Sequence, residues 1–139
     1  MIRWWKQPLA GDLVWCFFPQ DEQLEPGPKP RPGLILEVRR VLGSDQQFAV
    51  KVAYGTSQKT DSLYPGEFII ETADGAAFRL SGLSFSTKFD MAKIAELPYS
   101  DRWFAVPPRP RHGQNPKLGT LHASLMPRLK AARKAVLEQ

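Results

Sequence analysis

The stretch Lys29-Pro30-Arg31-Pro32-Gly33-Leu34-Ile35-Leu36 limits what this chain can become more than any other. Each of its two prolines fixes φ at about −65° and lacks an amide donor. Each also pushes the residue before it toward extended backbone. Lys29 and Arg31 therefore ride on a stiff, rod-like segment that cannot enter a helix. The apolar half, Leu34-Ile35-Leu36, suits a buried strand. A rigid cation at the mouth of a buried strand is either a charged loop feeding the core or a charge set over a pocket. The rest of the chain has to decide between them.

On either side of that stretch the pattern is one of short strands and turns. Residues 13–18, Leu13-Val14-Trp15-Cys16-Phe17-Phe18, read as a first strand ended by Pro19. Residues 20–33 form a proline-rich loop longer than most connections, the kind that often binds something. Residues 34–41 and 47–54 make the second and third strands around a Gly43-Ser44-Asp45 turn. The polar run Gly55-Thr56-Ser57-Gln58-Lys59-Thr60 follows directly, at a strand end facing solvent or a pocket. Residues 67–71 form a fourth strand, and Ala73-Asp74-Gly75-Ala76 reads as a hairpin turn. Residues 77–85 and 92–97 read as the last strands, with a bend at Asp90-Met91 and a short helix over 89–96 as the alternative. Such spacing points to a small β-barrel or sandwich rather than alternating strands and helices.

The C-terminal quarter differs. Pro107-Pro108-Arg109-Pro110-Arg111-His112-Gly113 is extended and cationic, a spacer or a recognition segment. Leu121, Leu125, Leu129, Ala132 and Val136 then fall on one helical face. Ser124 as N-cap would place Pro127 in the first turn, where a missing amide costs nothing. Arg128, Lys130, Arg133 and Lys134 line the polar side. The net charge of +5 is concentrated here: residues 1–100 sum to −1 and residues 101–139 to +6. A basic end on a near-neutral body suits an anionic partner, nucleic acid or an acidic protein segment, or else forms a merely solvated helix.

At 139 residues one folded unit is expected, large enough to hold its core without disulfides. A single cysteine, Cys16, and the absence of a leader or long apolar run predict a cytoplasmic chain that crosses no membrane. No metal or cofactor is expected: HExxH, CxxC, the phosphate-binding glycine loops and the G-x-S-x-G elbow are all absent. Cys16 sits between aromatics and reads as structural, and His122 as a surface or packing residue.

What remains is Arg31 together with Thr56-Ser57-Gln58-Lys59. Here Gly11-Asp12-Leu13-Val14-Trp15, Arg31-Pro32-Gly33-Leu34-Ile35-Leu36 and Thr56-Ser57 occur in order. They resemble the G-D-[IL]-[VW]-W, R-P-x-L-[IV]-[LV] and T-S steps of the MazF/PemK-like toxins of type II toxin–antitoxin modules. Thr87-Lys88-Phe89-Asp90-Met91 and Leu97-Pro98-Tyr99 also look like segments of divergent members, so the likeness spans roughly residues 9–105. It implies a mainly β fold, an SH3-like barrel of five to seven strands over residues 1–105. A linker at 106–120 and a helix at 121–139 packed on the same unit would follow. It also implies a homodimer that cuts single-stranded RNA without a metal, held in check by an antitoxin with an acidic, disordered tail. In such cleavage the RNA's own 2′-hydroxyl attacks phosphorus, so no protein nucleophile is needed. Arg31 would stabilise the charge growing on the phosphate oxygens. Thr56 would orient the scissile phosphate, with Ser57 in support. Lys29, Gln58 and Lys59 are RNA contacts by position.

The chain departs from that family in two places. Members commonly carry a His-Glu pair in the loop before the Arg-Pro step. Here that loop has no histidine, and Glu22 or Glu25 either serves as the base or belongs to a merely exposed acidic loop. The Arg-x-Asp step of some members is missing at Leu83-Ser84-Phe85-Ser86. Acid–base help is typically worth ~10²–10⁴ in rate, so its loss leaves either a slow nuclease or a protein that only binds. The competing readings are a non-catalytic module stacking bases on Trp4, Trp5, Trp15 or Tyr54, and a barrel acting on a protein target such as a topoisomerase.

Overall fold

In a computed structural model that describes residues 1–21 and 24–138, the apolar runs near the N-terminus become strands covered on both faces. Alternate residues of β1 (Asp12–Cys16), β2 (Arg31–Arg40) and β3 (Phe48–Thr56) point into two separate cores. Leu13, Leu34 and Ala53 enter one; Val14, Ile35 and Val52 enter the other. Double coverage explains why these strands read as nearly continuous apolar stretches rather than alternating ones.

The remaining elements are β4 (Glu67–Ile70), a 3-10 turn at Thr72–Asp74, α1 (Ala76–Ser81), β5 (Thr87–Pro98), β6 (Lys117–Thr120), a second 3-10 turn at Ala123–Leu125 and α2 (Met126–Leu137). All strand pairs are antiparallel, in the order β4-β5-β3-β2-β1-β6, and the sheet curls into a half-barrel. The fold is thus mainly β with a C-terminal helix. Much of the curl comes from β5. Its register against β3 jumps from Ala53↔Ile94 to Tyr54↔Asp90, leaving Met91, Ala92 and Lys93 as a bulge. A bulge bends its strand and increases the twist, and this one lets β5 turn to pair with β4. The bend expected at Asp90-Met91 is this bulge; residues 89–96 are strand, not helix.

Four expectations are corrected. Arg31 and Pro32 belong to β2 itself, opposite Cys16 and Trp15 of β1, rather than to a rod ahead of it. Pro32 is tolerated because it lies at the very start of the strand. The hairpin turn at 73–76 and the strand at 77–85 are a 3-10 turn and α1. The Glu71 amide donates to the Asp74 carboxylate at 2.7 Å and opens the turn. Ala77 and Ser81, four apart, are the buried pair, a helical spacing hidden in a short window. Gly82, at φ 71°, ends α1 hard against the Leu118 carbonyl, where any Cβ would collide. The 106–120 linker contains β6, which pairs with β1. Finally, Ser124 is not the cap of α2: Leu125 holds that position with no side-chain cap bond, and His122 caps the 3-10 turn ahead of it, its Nδ1 accepting the Ser124 amide at 3.1 Å.

Leu121, Leu125, Leu129 and Ala132 are buried in one cluster with Phe68, Ile70 and Phe89, and Val136 packs at its edge. The helix itself starts only at Met126, so Leu121 and Leu125 reach that cluster from the segment before it rather than from the helix expected over 121–139. Arg128 turns back from the polar side. Its guanidinium grips Asp74 through two hydrogen bonds of 2.8 Å and the Ile69 carbonyl at 3.0 Å. That charge holds the Asp74 carboxyl below the usual carboxylate range. Trp5, Phe18, Phe48, Tyr99, Trp103 and Phe104 fill the second core with Cys16, whose thiol is buried and pushed well up from its ordinary pKa. Among the described residues no helix is long and apolar enough to cross a membrane.

Candidate functional site

Strand pairing brings the two main candidates together. Gly33 of β2 faces Tyr54 of β3, and Arg31 and Thr56 each lie two residues beyond that pair, at the same end of the two strands. Cross-strand partners present their side chains on the same face of a sheet. Gly55 makes the approach possible: a Cβ there would come within 2.6 Å of both the Pro32 carbonyl and the Phe89 ring. Arg31, Thr56 and Ser57 all line one cavity of about 480 Å³. Arg31 Nε is buried and has no hydrogen-bond partner among the described residues. An unsatisfied buried guanidinium N–H is costly unless something comes to meet it.

Thr56 is held ready in a different way. Its Oγ1 accepts the Gln58 amide at 3.1 Å, which fixes the hydroxyl and leaves its proton free to donate. Across β5, Thr56 faces Lys88. Lys88 Nζ lies between Glu67 Oε1 at 3.1 Å and the Ser62 carbonyl at 3.0 Å, nearly excluded from solvent. This buried ion pair ties the loop that follows Thr56 to the sheet.

The opposite wall was not anticipated. Residues 106–115 leave the sheet and return to it at a single residue of β1. The Ala105 amide donates to the Trp15 carbonyl at 3.0 Å, and the Trp15 amide donates to the Pro116 carbonyl at 2.9 Å. Pro107 is buried, while Arg109 and Arg111 are exposed along the cavity that Trp15 also lines. A third side is the turn after α1, where Ser84 and Phe85 reach the cavity. The Phe85 ring is 69% exposed, on backbone pinned by Thr87 Oγ1 donating to the Phe85 carbonyl at 2.8 Å. In the sequence the Pro-Arg repeat was the only signal for the loop wall, and nothing marked Phe85.

The other sequence candidates lie elsewhere. Lys29, Gln58 and Lys59 are exposed but do not line the cavity. Glu25 is exposed and away from it as well, and Glu22 falls outside the described residues. Of the stacking candidates only Trp15 reaches the cavity. Trp5 is core, with Nε1 donating to the Phe104 carbonyl at 3.1 Å. Tyr54 packs edge-on to Phe18, and Trp4 belongs to a separate hollow near the N-terminus.

Volume does not single this cavity out. Hollows of about 540 and 510 Å³ lie over the β2–β3–β5 surface and beside the N-terminal segment. Each, however, has carboxylates in its lining, Glu37 and Glu96 in the first and Asp12 in the second. In the first, Lys51 pairs with Glu37 at 3.1 Å and Arg39 with Glu96. In the second, Lys117 pairs with Asp12 at 3.5 Å and Arg3 lies over the Trp5 ring. The Arg31 cavity has three arginines and several hydroxyls, and among the described residues no carboxylate or histidine lines it. That lining suits an anion with hydrogen-bond acceptors. No group of three or more His, Cys, Asp and Glu comes together among the described residues. No family model matches the chain, and no curated protein matches it.

Proposed function

We propose that this chain is a toxin-type endoribonuclease that cleaves single-stranded RNA by attack of the 2′-hydroxyl on the adjacent phosphorus. The observation that carries the reading is Arg31: an unpartnered, buried Nε beside Thr56 in a cavity without opposing charge. In the reaction the 2′-oxygen bonds to phosphorus and the bond to the 5′-oxygen breaks. The products are a 2′,3′-cyclic phosphate and a 5′-hydroxyl, with water taking the 2′-hydroxyl proton and supplying one to the leaving 5′-oxygen. Negative charge builds on the non-bridging oxygens, where a fixed guanidinium donates paired hydrogen bonds. Arg31 supplies these and, being too weak an acid to give up its proton, acts electrostatically. Thr56 donates its hydroxyl proton to the same phosphate while its oxygen stays engaged with Gln58. With no acid or base among the described lining residues, the enzyme relies on positioning and charge and is slow.

The same reading takes the half-barrel as SH3-like, the protein as a cytoplasmic homodimer, and the cavity as the place an antitoxin's acidic, disordered tail would cover. One observation favours a second reading, a module that binds RNA without cutting it: the missing carboxylates and histidines among the lining residues. The two separate on a gel. Purified protein is incubated with end-labelled single-stranded RNA, with and without chelator, and the ends of any product are mapped. Cyclic-phosphate ends that survive chelation support the nuclease. Salt-sensitive binding with no product supports the module.

A further inference from the structure

The cavity has more cationic lining than a single phosphate needs. Arg31 stands on the strand side, and Arg109 and Arg111 on the loop side. Both loop arginines are exposed, and no ion pair involving either is found among the described residues. Their backbone is preorganised. Pro107, Pro108 and Pro110 stiffen it, Trp15 fastens it at both ends, and Asn115 Oδ1 accepts the Lys117 amide at 2.9 Å where it rejoins β6. Little entropy is lost when such a segment meets a ligand. The exposed Phe85 on the third side belongs to neither core.

We propose that residues 106–115 form the wall that grips the RNA strand. Arg109 and Arg111 bind the phosphates next to the one held by Arg31, and Phe85 stacks a base lying between those phosphates. This deepens the nuclease reading and rests on it for the identity of the ligand. An extended single strand offers such an alternation of charge and aromatic face, and cationic grooves with stacking rings are how single strands are held. Each phosphate engaged releases condensed counterion, so the number of contacts appears in the salt dependence, about 0.7 per phosphate for a single strand.

The test uses the full chain and a fluorescent, uncleavable 2′-O-methyl RNA oligomer, with affinity measured across a salt series. Arg109→Gln/Arg111→Gln should weaken binding and lower the slope of log affinity against log salt by about 1.4. Phe85→Ala should weaken binding roughly tenfold with the slope unchanged. Lys130→Gln/Arg133→Gln removes the same charge from the exposed side of α2 and should leave the slope alone. If the loop variant keeps the wild-type slope, or the α2 variant loses as much, the inference is overturned. Unmodified RNA that the wild type cleaves while the loop variant binds normally sinks this inference alone. A wild type that neither binds nor cleaves RNA removes the nuclease reading as well.

Discussion

The two main walls of the cavity are made by different means. Arg31 and Thr56 stand on neighbouring strands whose register is set by the backbone ladder and backed by a buried core. Arg109 and Arg111 stand on a loop whose ends share the two backbone groups of Trp15. A strand site cannot shift without breaking the sheet. A loop site can shift while the sheet stays intact. The strand wall is therefore suited to holding the phosphate at which charge develops, and the loop wall to holding the strand that carries it.

The largest expected effect strikes the strand wall from behind. Lys88→Met removes the partner of Glu67, whose side chain is only 10% exposed, and frees the Ser62 loop. Breaking one half of a buried pair typically costs about 3–5 kcal/mol, and urea unfolding should show a loss near the lower figure. A loss under about 1 kcal/mol would mean that the pair behaves as a surface contact. Next is Thr56→Val, which keeps the shape and removes the hydroxyl. RNA cleavage should fall roughly tenfold, the worth of about one hydrogen bond to a charged group, and the melting point should drop slightly, because the exposed Gln58 amide loses its acceptor to water. Thr56→Ser should restore most of it.

The loop wall should respond in the opposite manner. Asn115→Ala removes the acceptor for the Lys117 amide, a loss of about 1 kcal/mol. Hydrogen exchange should quicken in residues 106–115 while the β2 and β3 amides keep their protection. Uniform loss of protection would erase the distinction between the walls. The smallest effect lies outside both. Arg128→Met unclamps α2 from Asp74 at a site where the arginine is 42% exposed, worth about 1 kcal/mol or less. Because Arg128 depresses the Asp74 carboxyl, the pair contributes fully well above the ordinary aspartate value of about 3.9. The contribution disappears as pH falls through the lower folded-state value. The stability gap between wild type and variant should therefore close in acid and stay open at neutral pH.

The same contrast explains what could be read from residues alone. Leu34-Ile35, Val50 and Val52 announce strands because apolar, β-branched side chains fit a sheet buried on both faces. The Leu129–Ala132–Val136 spacing announces the last helix, while Leu121 and Leu125, which share the period, precede it because His122 and the 3-10 turn intervene. Arg31 and Thr56 stood out because a proline beside a cation, and a polar run after a strand, are local signals. Arg109 and Arg111 did not, because prolines stiffen a spacer and a binding wall alike. Only the long-range bonds to Trp15 tell the two apart, and no local pattern encodes them. Phe85 was hidden by the misreading of residues 77–85 as strand. Six residues of α1 are too few for the helical period to outweigh the appearance of alternation.

The central claim is that the Arg31 guanidinium stabilises a phosphorane in this cavity, and single-turnover cleavage of a short single-stranded RNA tests it most directly. Arg31→Ala should slow the chemical step by about 10²–10³-fold, and Arg31→Lys should recover little, since an ammonium cannot reproduce the paired donors. Both variants should unfold near the wild-type temperature, the Nε having no hydrogen-bond partner among the described residues to lose. Cleavage by a folded Arg31→Ala protein at the wild-type rate would contradict the account.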